Sequence, residues 1–523
     1  MQHKVKKGIT IPPPPLSYVF ILLLLGSIFT IGYSGCSTPG TTDGNGSTDG
    51  GVTADASTEK GVITDNTTTE TGNTTEDPPG EPLPPVTKPH PNILLVIIDD
   101  YGVDVASYYH DKDGDGKADD GRTYAPTPTF ASLCKTGVRF NNAWSTPLCS
   151  STRSSILTGR YGFRTGIGGA IPRGGGIKTN EPTIPKILDA KSALGYVHAN
   201  IGKWHLGENT ELKGELAPNT MGWSHYSGSL SGSLNDFSDW TKITDGKSSK
   251  VTNYATTENV NDAIKWLGKQ DPKKPWFLWL AFNAPHTPFH MPPKELHSQK
   301  NLSGTTQDIN RNSTNYYRAA VESLDTEVGR LLAWLKQKGQ LENTLIVVLG
   351  DNGSPRKVVE APYDRLRAKG TLYQGGIHVT MCISGKGVTG GQTSDALVHT
   401  VDLYATLLEA AGVDVKKELP TGFTYDSMSF FDILKDAKKA GPRTWAFGEK
   451  FDKDPKSSDL TIRNKRYKIL RLQSKSDAFY DLQTDPRETK NLLDGKKVDD
   501  LTAEQKSNYE ALSKQLDQIT KGN

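Results

Sequence analysis

The sequence predicts an α/β protein. A large domain over residues 90–440 is built on a mostly parallel central sheet, and a smaller C-terminal α+β domain over 441–523 carries an antiparallel sheet. Three observations carry this. Continuous apolar runs of strand length recur and end in polar or acidic residues, as strands buried on both faces of a parallel sheet do. Stretches of helical period separate them, and that alternation signals α/β. Beyond about residue 440 the apolar runs shorten and turns join them directly.

The first strand is Asn92-Ile-Leu-Leu-Val-Ile-Ile-Asp99, which ends in acids where functional groups of such sheets collect. Further strands are expected at Trp276–Phe282 and Leu345–Leu349, and helices at Thr183–Leu194, Asn259–Leu267 and Tyr316–Lys336. In the smaller domain, Thr444–Glu449, Leu460–Leu472 and Ala478–Asp481 read as strands, followed by a polar helix from Thr502 to about Lys521. No internal repeat is apparent.

Composition narrows the function. The 523 residues are 35% hydrophobic and 23% charged, enough for a sizeable core. Lys and Arg number 61 against 59 Asp and Glu, so there is no general attraction to nucleic acid, and no nucleic-acid partner is expected. Four cysteines cannot staple a chain of this length. Cys134 and Cys382 are expected as buried free thiols, their pairing not being readable from sequence.

The N-terminus reads as an export signal over 1–35. Lys4, Lys6 and Lys7 precede an apolar run from Leu16 to Ile31, short for a membrane span and suited to a signal-peptide core. The run ends in Tyr33-Ser34-Gly35-Cys36, which resembles the lipobox of bacterial lipoproteins, although that pattern prefers Leu at the place of Tyr33. The resemblance implies lipid on Cys36 and a membrane-anchored protein in the periplasm or at the cell surface. Residues 36–89 are rich in Thr, Gly, Asp and Pro, with nine acidic residues against Lys60 and Lys88. They have too little apolar content for a core and are expected to form a disordered tether.

Four separated segments share one kind of chemistry: Asp99-Asp100, Cys149 to Arg153 with Thr158-Gly159-Arg160, Gly202-Lys-Trp-His-Leu-Gly207, and Asp351-Asn352-Gly353. Asn283-Ala-Pro-His286-Thr-Pro and Lys369-Gly-Thr-Leu-Tyr-Gln-Gly-Gly376 support them. In order and approximate spacing these six resemble the sulfatase family over essentially residues 90–523. Singly, each has an ordinary reading as a helix cap, a turn or a solvated lysine. Their joint order carries the resemblance.

The resemblance implies an alkaline-phosphatase-like large domain and sulfuric ester hydrolysis of the arylsulfatase type. It implies that a maturation enzyme oxidises Cys149 to formylglycine, whose hydrated aldehyde supplies the nucleophilic oxygen and forms a covalent sulfo-enzyme intermediate. Asp99, Asp100, Asp351, Asn352 and the modified Cys149 would hold one divalent cation. An oxygen-only cage selects Ca2+, or Mg2+, over zinc or copper. Lys203 and Lys369 would contact the sulfate, Arg153 would orient the formylglycine and metal, and His205 would hold or deprotonate the diol hydroxyl. His286 would protonate the leaving oxygen. The expected substrate is a sulfated small molecule or glycan.

The chain departs from the family pattern in places. Cys149-Ser150-Ser151-Thr152-Arg153 has Ser151 where the modification signal has Pro or Ala. Gln374, His378 and Thr380 stand where the family often has Glu, Arg and Pro. Two other readings stay open: a phosphomonoester or phosphodiester hydrolase of the same superfamily, and an unmodified sulfoglycan-binding pseudoenzyme. A second acidic cluster places Asp111, Asp113, Asp115 and Asp119 at positions 1, 3, 5 and 9 of a calcium loop, with Gly116 at position 6 and Arg122 in place of the bidentate Glu. It reads as a site for a second, structural Ca2+. Substrate choice is expected in loops such as 208–250 and 287–315.

The lipidation reading makes one prediction. Cys36→Ala should abolish incorporation of a palmitate analogue and leave the protein detached or unprocessed; label retained by the variant would contradict it.

Overall fold

A computed structural model describes residues 82–86, 88–111, 118–171, 174–473 and 475–521. The signal segment, Cys36, the tether up to residue 81, and Asp113 and Asp115 of the acidic loop lie outside them.

In chain order the strands are β1 (Asn92–Ile98), β2 (Val138–Phe140), β3 (Ala143–Trp144), β4 (Val197–Lys203), β5 (His225–Ser229), β6 (Trp240–Thr244), β7 (Lys247–Val251) and β8 (Trp276–Ala281). They continue as β9 (Thr344–Gly350), β10 (Met381–Gly385), β11 (Gln392–Ser394), β12 (Val398–His399), β13 (Ala446–Lys450), β14 (Asp459–Arg463), β15 (Tyr467–Arg471) and β16 (Ala478–Asp481). Among the described residues the large sheet has ten strands in the order β11-β2-β10-β9-β1-β8-β4-β5-β6-β7. Its centre, β9-β1-β8-β4-β5, is parallel throughout.

The residue pattern of β1 shows why the sheet is covered on both faces. Side chains alternate along a strand, and Ile93, Leu95 and Ile97 pack in one core while Leu94, Val96 and Ile98 pack in another. Ile156 and Leu157 of the helix Cys149–Thr158, with Leu403 and Leu407 of Leu403–Ala410, complete the first core. Val260 of Ala255–Leu267, with Val321, Leu324 and Val328 of Ser313–Gln337, completes the second. A strand sandwiched in this way must be apolar on both sides, hence its unbroken run.

The smaller sheet, β13-β14-β15-β16, is antiparallel throughout and is covered by the helix Ala503–Thr520 through Leu512 and Leu516. The mostly parallel large sheet and the smaller antiparallel one are the architecture expected from the sequence.

Several details differ from expectation. Leu460–Leu472 is two strands, because Asn464 turns the chain: its Oδ1 accepts from the backbone N–H groups of Arg466 (2.9 Å) and Tyr467 (2.7 Å). Residues 208–250 are not simply a loop, since β5, β6 and nearly all of β7 fall there and widen the large sheet. A further helix, Cys149–Thr158, begins at Cys149 itself. Cys134 and Cys382 are not free thiols. They form a disulfide between the helix Pro128–Thr136 and β10, across 248 residues of sequence, a pairing only the tertiary fold creates. Residues 83 and 86 already belong to the folded body: Leu83 N donates to Gln337 O and Val86 N to Gly339 O, both at 2.9 Å.

A cross-link that closes so long a loop restricts the unfolded chain. The double variant Cys134→Ala/Cys382→Ala should lose about 2–5 kcal/mol of stability, read as a lower midpoint in denaturant; an unchanged midpoint would show the bond contributes nothing.

Candidate active site

Parallel pairing sets the site. Ile98 lies opposite Gly350 and Gly202 opposite Ala281, so β1, β9, β4 and β8 end at one edge of the sheet. The residues that follow, Asp99-Asp100, Asp351-Asn352, Lys203-Trp204-His205 and Asn283 to His286, therefore meet there, as ligand groups do at carboxyl edges of such sheets. The helix Cys149–Thr158 aims its first turn at the same place.

The contacts are short. Cys149 Sγ donates to Asp99 Oδ1 at 3.3 Å and lies 4.0 Å from Asp100 Oδ1. Lys203 Nζ donates to Asp99 Oδ2 at 2.5 Å, and Lys369 Nζ pairs with Asp100 Oδ1 at 2.5 Å. Arg153 reaches Asp351 Oδ2 at 2.9 Å and the carbonyl of Lys203 at 3.2 Å. Asn352 Nδ2 donates to Asp100 Oδ1 at 2.8 Å. His286 Nε2 is 3.8 Å from Asp100 Oδ2. Asp99, Asp100 and Asp351 are at most 1% exposed.

Asp100 sits in the left-handed region at φ 59°, unusual for a residue with a side chain. Two bonds hold it there: its N–H donates to Asp351 Oδ1 at 3.0 Å, and Tyr317 OH donates to its carbonyl at 2.7 Å. The sequence reading missed Tyr317, which sits mid-helix with no local motif to mark it. It also missed Ser354, whose hydroxyl accepts from Gly102 N and donates to Asp104 Oδ1.

Charge and burial oppose each other here. Burial raises the Asp100 carboxyl, but the charges of Lys369, His286 and Lys203 win and hold it down at about 2. Burial, with the neighbouring Asp99 charge, pushes Asp351 up to about 6 against the pull of Arg153. Burial and Asp99 raise the Cys149 thiol well above its ordinary range, so it stays protonated. Burial, offset in part by Asp100 and reinforced by Lys203 and Lys369, lowers His286 to about 4. Its Nδ1 lies 2.6 Å from the carbonyl of Thr287. A carbonyl only accepts, so in the neutral ring Nδ1 holds the proton and Nε2 turns its lone pair towards Asp100.

These groups fit a hard cation. Ligand atoms of Asp99, Asp100, Cys149 and His286 all lie within 4.8 Å of one another. Beside them Asn352 Oδ1 is buried with no hydrogen-bond partner, and Asp351 carries charge its neighbours do not fully balance. Buried oxygen donors with an orphaned amide oxygen suit calcium or magnesium. His286 joins the group in space, although the sequence assigned it to proton transfer alone.

His205 is held at φ 51° by its N–H on Leu230 O, and its buried Nδ1 has no partner. Burial, then the charges of Lys203 and Arg153, push it well below its ordinary value, so the ring is neutral. A Cβ placed on Gly232 would overlap that imidazole, so only glycine at this position leaves the ring where it is. At Ser151, the hydroxyl donates to Leu148 O at 2.9 Å and lies 2.6 Å from Thr146 Oγ1, inside the turn that opens the Cys149 helix. In the acidic loop, Asp119 N donates to His110 O at 2.9 Å.

Known proteins agree with this picture. The family model described as Sulfatase matches residues 91–413, and that described as N-sulphoglucosamine sulphohydrolase, C-terminal, matches 365–515. The chain is 28% identical over 436 residues to uncharacterized sulfatase YdeN of Escherichia coli (strain K12), covering 74% of each chain. It is 28% identical over 355 residues to N-acetylgalactosamine-6-sulfatase of Homo sapiens, and spans 62% of that protein's length and 62% of its own. Among solved structures, Ps i-CgsB in complex with k-i-k-neocarrahexaose superposes with a TM-score of 0.64 at 26% identity, over 78% of this chain and 89% of that one. The alkaline-phosphatase-like fold is thus the one observed. With a family model matched over more than half its length, and with acids, lysines and a buried cysteine gathered at the carboxyl edge of the sheet, the chain belongs to the sulfatase family, whose chemistry is sulfate ester hydrolysis.

Proposed function

We propose that this sulfatase removes sulfate from a sulfated small molecule or glycan, using a formylglycine made from Cys149 and one divalent cation, Ca2+ or Mg2+. One observation carries the reading: Asp99, Asp100, Cys149 and His286 share a space less than 5 Å across, and Lys203 and Lys369 point into the same carboxylates. Asp99, Asp100, Asp351 and Asn352 would hold the cation together with the modified side chain at 149. When bound, the cation supplies positive charge and the formylglycine hydrate supplies the nucleophilic oxygen.

The chain's own residues then have defined tasks. Lys203 and Lys369 neutralise the non-bridging oxygens of the ester, where a transferred group concentrates its charge. Arg153, anchored on Asp351, fixes the first turn of the helix that begins at Cys149. His205, neutral and half-buried, accepts or positions the hydroxyl proton. His286 takes up a proton at Nε2 before giving it to the leaving oxygen, because Nδ1 is committed to Thr287. The human relative's name and the neocarrahexaose complex support a glycan substrate.

The export reading places the protein in the periplasm or at the cell surface, tethered through lipid on Cys36. The Cys134–Cys382 disulfide supports an oxidising compartment. The maturation enzyme is the partner this mechanism requires, and it must accept Ser151 in its signal. Asp111, Asp113, Asp115 and Asp119 remain our proposal for a structural Ca2+.

Mass spectrometry of the peptide containing residue 149 tests the mechanism. In the mature protein it should be lighter by an exchange of sulfur for oxygen and by two hydrogens; a thiol throughout, with sulfatase activity intact, would overturn it. Removing the divalent cation with a chelator should abolish turnover, and Ca2+ or Mg2+ should restore it.

The placement of the His205 ring depends on Gly232. Gly232→Ala should displace the imidazole and lower kcat by about 10–100-fold while leaving the melting temperature within a few degrees, since the added methyl meets a side-chain ring and not backbone. Wild-type kcat in this variant would show that the position of His205 is not critical.

A further inference from the structure

A second chamber lies beside the catalytic edge. Its volume is about 350 Å³, the size of a small-molecule site. It is walled by Val103 and Asp104, which follow the metal-group acids, by Ala368 and Gln374, which flank Lys369, and by Arg463 and Arg487 of the C-terminal part. None of Asp99, Asp100, Cys149, Lys203 or His286 lines it. Gln374 and His378, two of the positions where the sequence departs from the family pattern, both do.

The wall carries a charge without a counter-ion. Arg463 is 2% exposed and pairs with no carboxylate among the described residues. Its Nε and Nη2 are used on the carbonyls of Asn464 (2.8 Å) and Lys465 (2.9 Å), while Nη1 has no hydrogen-bond partner among the described residues. Glu488, the acid whose charge it feels, is already consumed by Lys468 Nζ (2.5 Å) and by the N–H of Gln374 (2.6 Å). Burial pulls the guanidinium down to about 10, the mark of a cation short of compensation. A buried, unbalanced arginine is costly and is tolerated where an anion completes it. At the mouth, Arg487 is exposed and forms no ion pair among the described residues.

The remaining lining is suited to hydroxyl groups. Asp104 uses Oδ1 on Ser354, but its Oδ2 is buried and has no partner. His378 donates Nε2–H to Asn141 O at 2.9 Å, which leaves Nδ1 as an acceptor. Gln374 accepts from Trp144 Nε1 through Oε1, leaving its NH₂ as a donor. The chamber thus offers one buried unbalanced cation, Arg463, and a second, exposed one, Arg487, with donors and acceptors around them.

We propose that this chamber binds a small, polyhydroxylated monoanion, a sugar bearing one carboxylate or one sulfate, with the anion on Arg463 and a hydroxyl on Asp104. The occupant would press on the segments that carry Asp100 and Lys369 without touching the catalytic carboxylates. The proposal does not depend on the hydrolytic mechanism, since binding can be measured in a protein that does not turn over.

Isothermal titration of the mature chain carrying Cys149→Ser, with D-glucuronate, D-glucose 6-sulfate and D-glucose as probes, tests it. The expected result is one equivalent of D-glucuronate bound, with D-glucose at least about tenfold weaker. The two acidic probes show which anion is preferred. Arg463→Met should weaken D-glucuronate at least about tenfold, and Arg487→Glu by several-fold; Lys203→Met should leave the affinity for D-glucuronate unchanged. Absence of saturable binding, equal affinity for D-glucose, or affinity that survives Arg463→Met in a folded protein would overturn the proposal. Loss of D-glucuronate binding in Lys203→Met would do the same, because the probe would then occupy the catalytic site. If Arg463→Met does not fold, Arg487→Glu decides, and unchanged affinity in that variant rejects the chamber.

Discussion

The structure depends on keeping charges buried in company. Asp99, Asp100 and Asp351 are withdrawn from water at the carboxyl edge of the sheet, and an isolated carboxylate there would be prohibitively costly. Lys203, Lys369 and Arg153 offset that cost, each reaching one acid within 2.9 Å. The arrangement holds only while five elements, distant in sequence, stay in register. A one-residue shift of β1 against β9 would invert which side chains face which core and would part Asp100 from Asp351. The double-sided apolar packing of β1 therefore does more than stabilise the sheet, because it fixes the position of the acids to within a hydrogen bond.

The same constraint explains the unusual backbone. A left-handed residue with a side chain costs energy, yet Asp100 adopts this conformation, and Tyr317 and Asp351 together stabilise it. His205 does likewise on the opposite side of the site, with Leu230 accepting its N–H and Gly232 leaving room for its ring. Both are residues with side chains held in left-handed backbone conformations by contacts from distant parts of the chain.

How much of this was legible follows from range. The long apolar strands and the polar C-terminal helix were readable because burial writes a period into the sequence, as in β1, β8 and Ala503–Thr520. The site segments were readable because each is a short motif, several of them at strand ends and that of Cys149 at the start of a helix. Whatever depends on pairing across the chain was not readable. β4 escaped notice because His198, Asn200 and Lys203 break its apolar run, although all three are buried in the fold. The Cys134–Cys382 bond spans 248 residues and has no local sign. The position of His286 beside Asp100, and the lone-pair direction of its Nε2, follow from a contact with Thr287 that spacing cannot express. Arg463 reads as an ordinary strand arginine until the surrounding acids prove to be occupied elsewhere.

A buried pair helps tie the small antiparallel sheet to the segment that presents Lys369. Lys468 on β15 donates to Glu488 Oε1 and to the carbonyl of Leu372, while Glu488 Oε2 accepts from the N–H of Gln374. Leu372 and Gln374 flank the turn that follows Lys369, and Arg367, just before it, donates to the carbonyls of Arg487 and Glu488. The segment that presents Lys369 to Asp100 is thus bonded on both sides to the C-terminal part. A pair with both partners at 1% exposure or less is a weak source of net stability but a strong source of uniqueness, since breaking it strands a buried charge. The second sheet therefore fixes the backbone from which Lys369 reaches Asp100, so the buried pair at the edge of the large sheet depends on the packing of the small one.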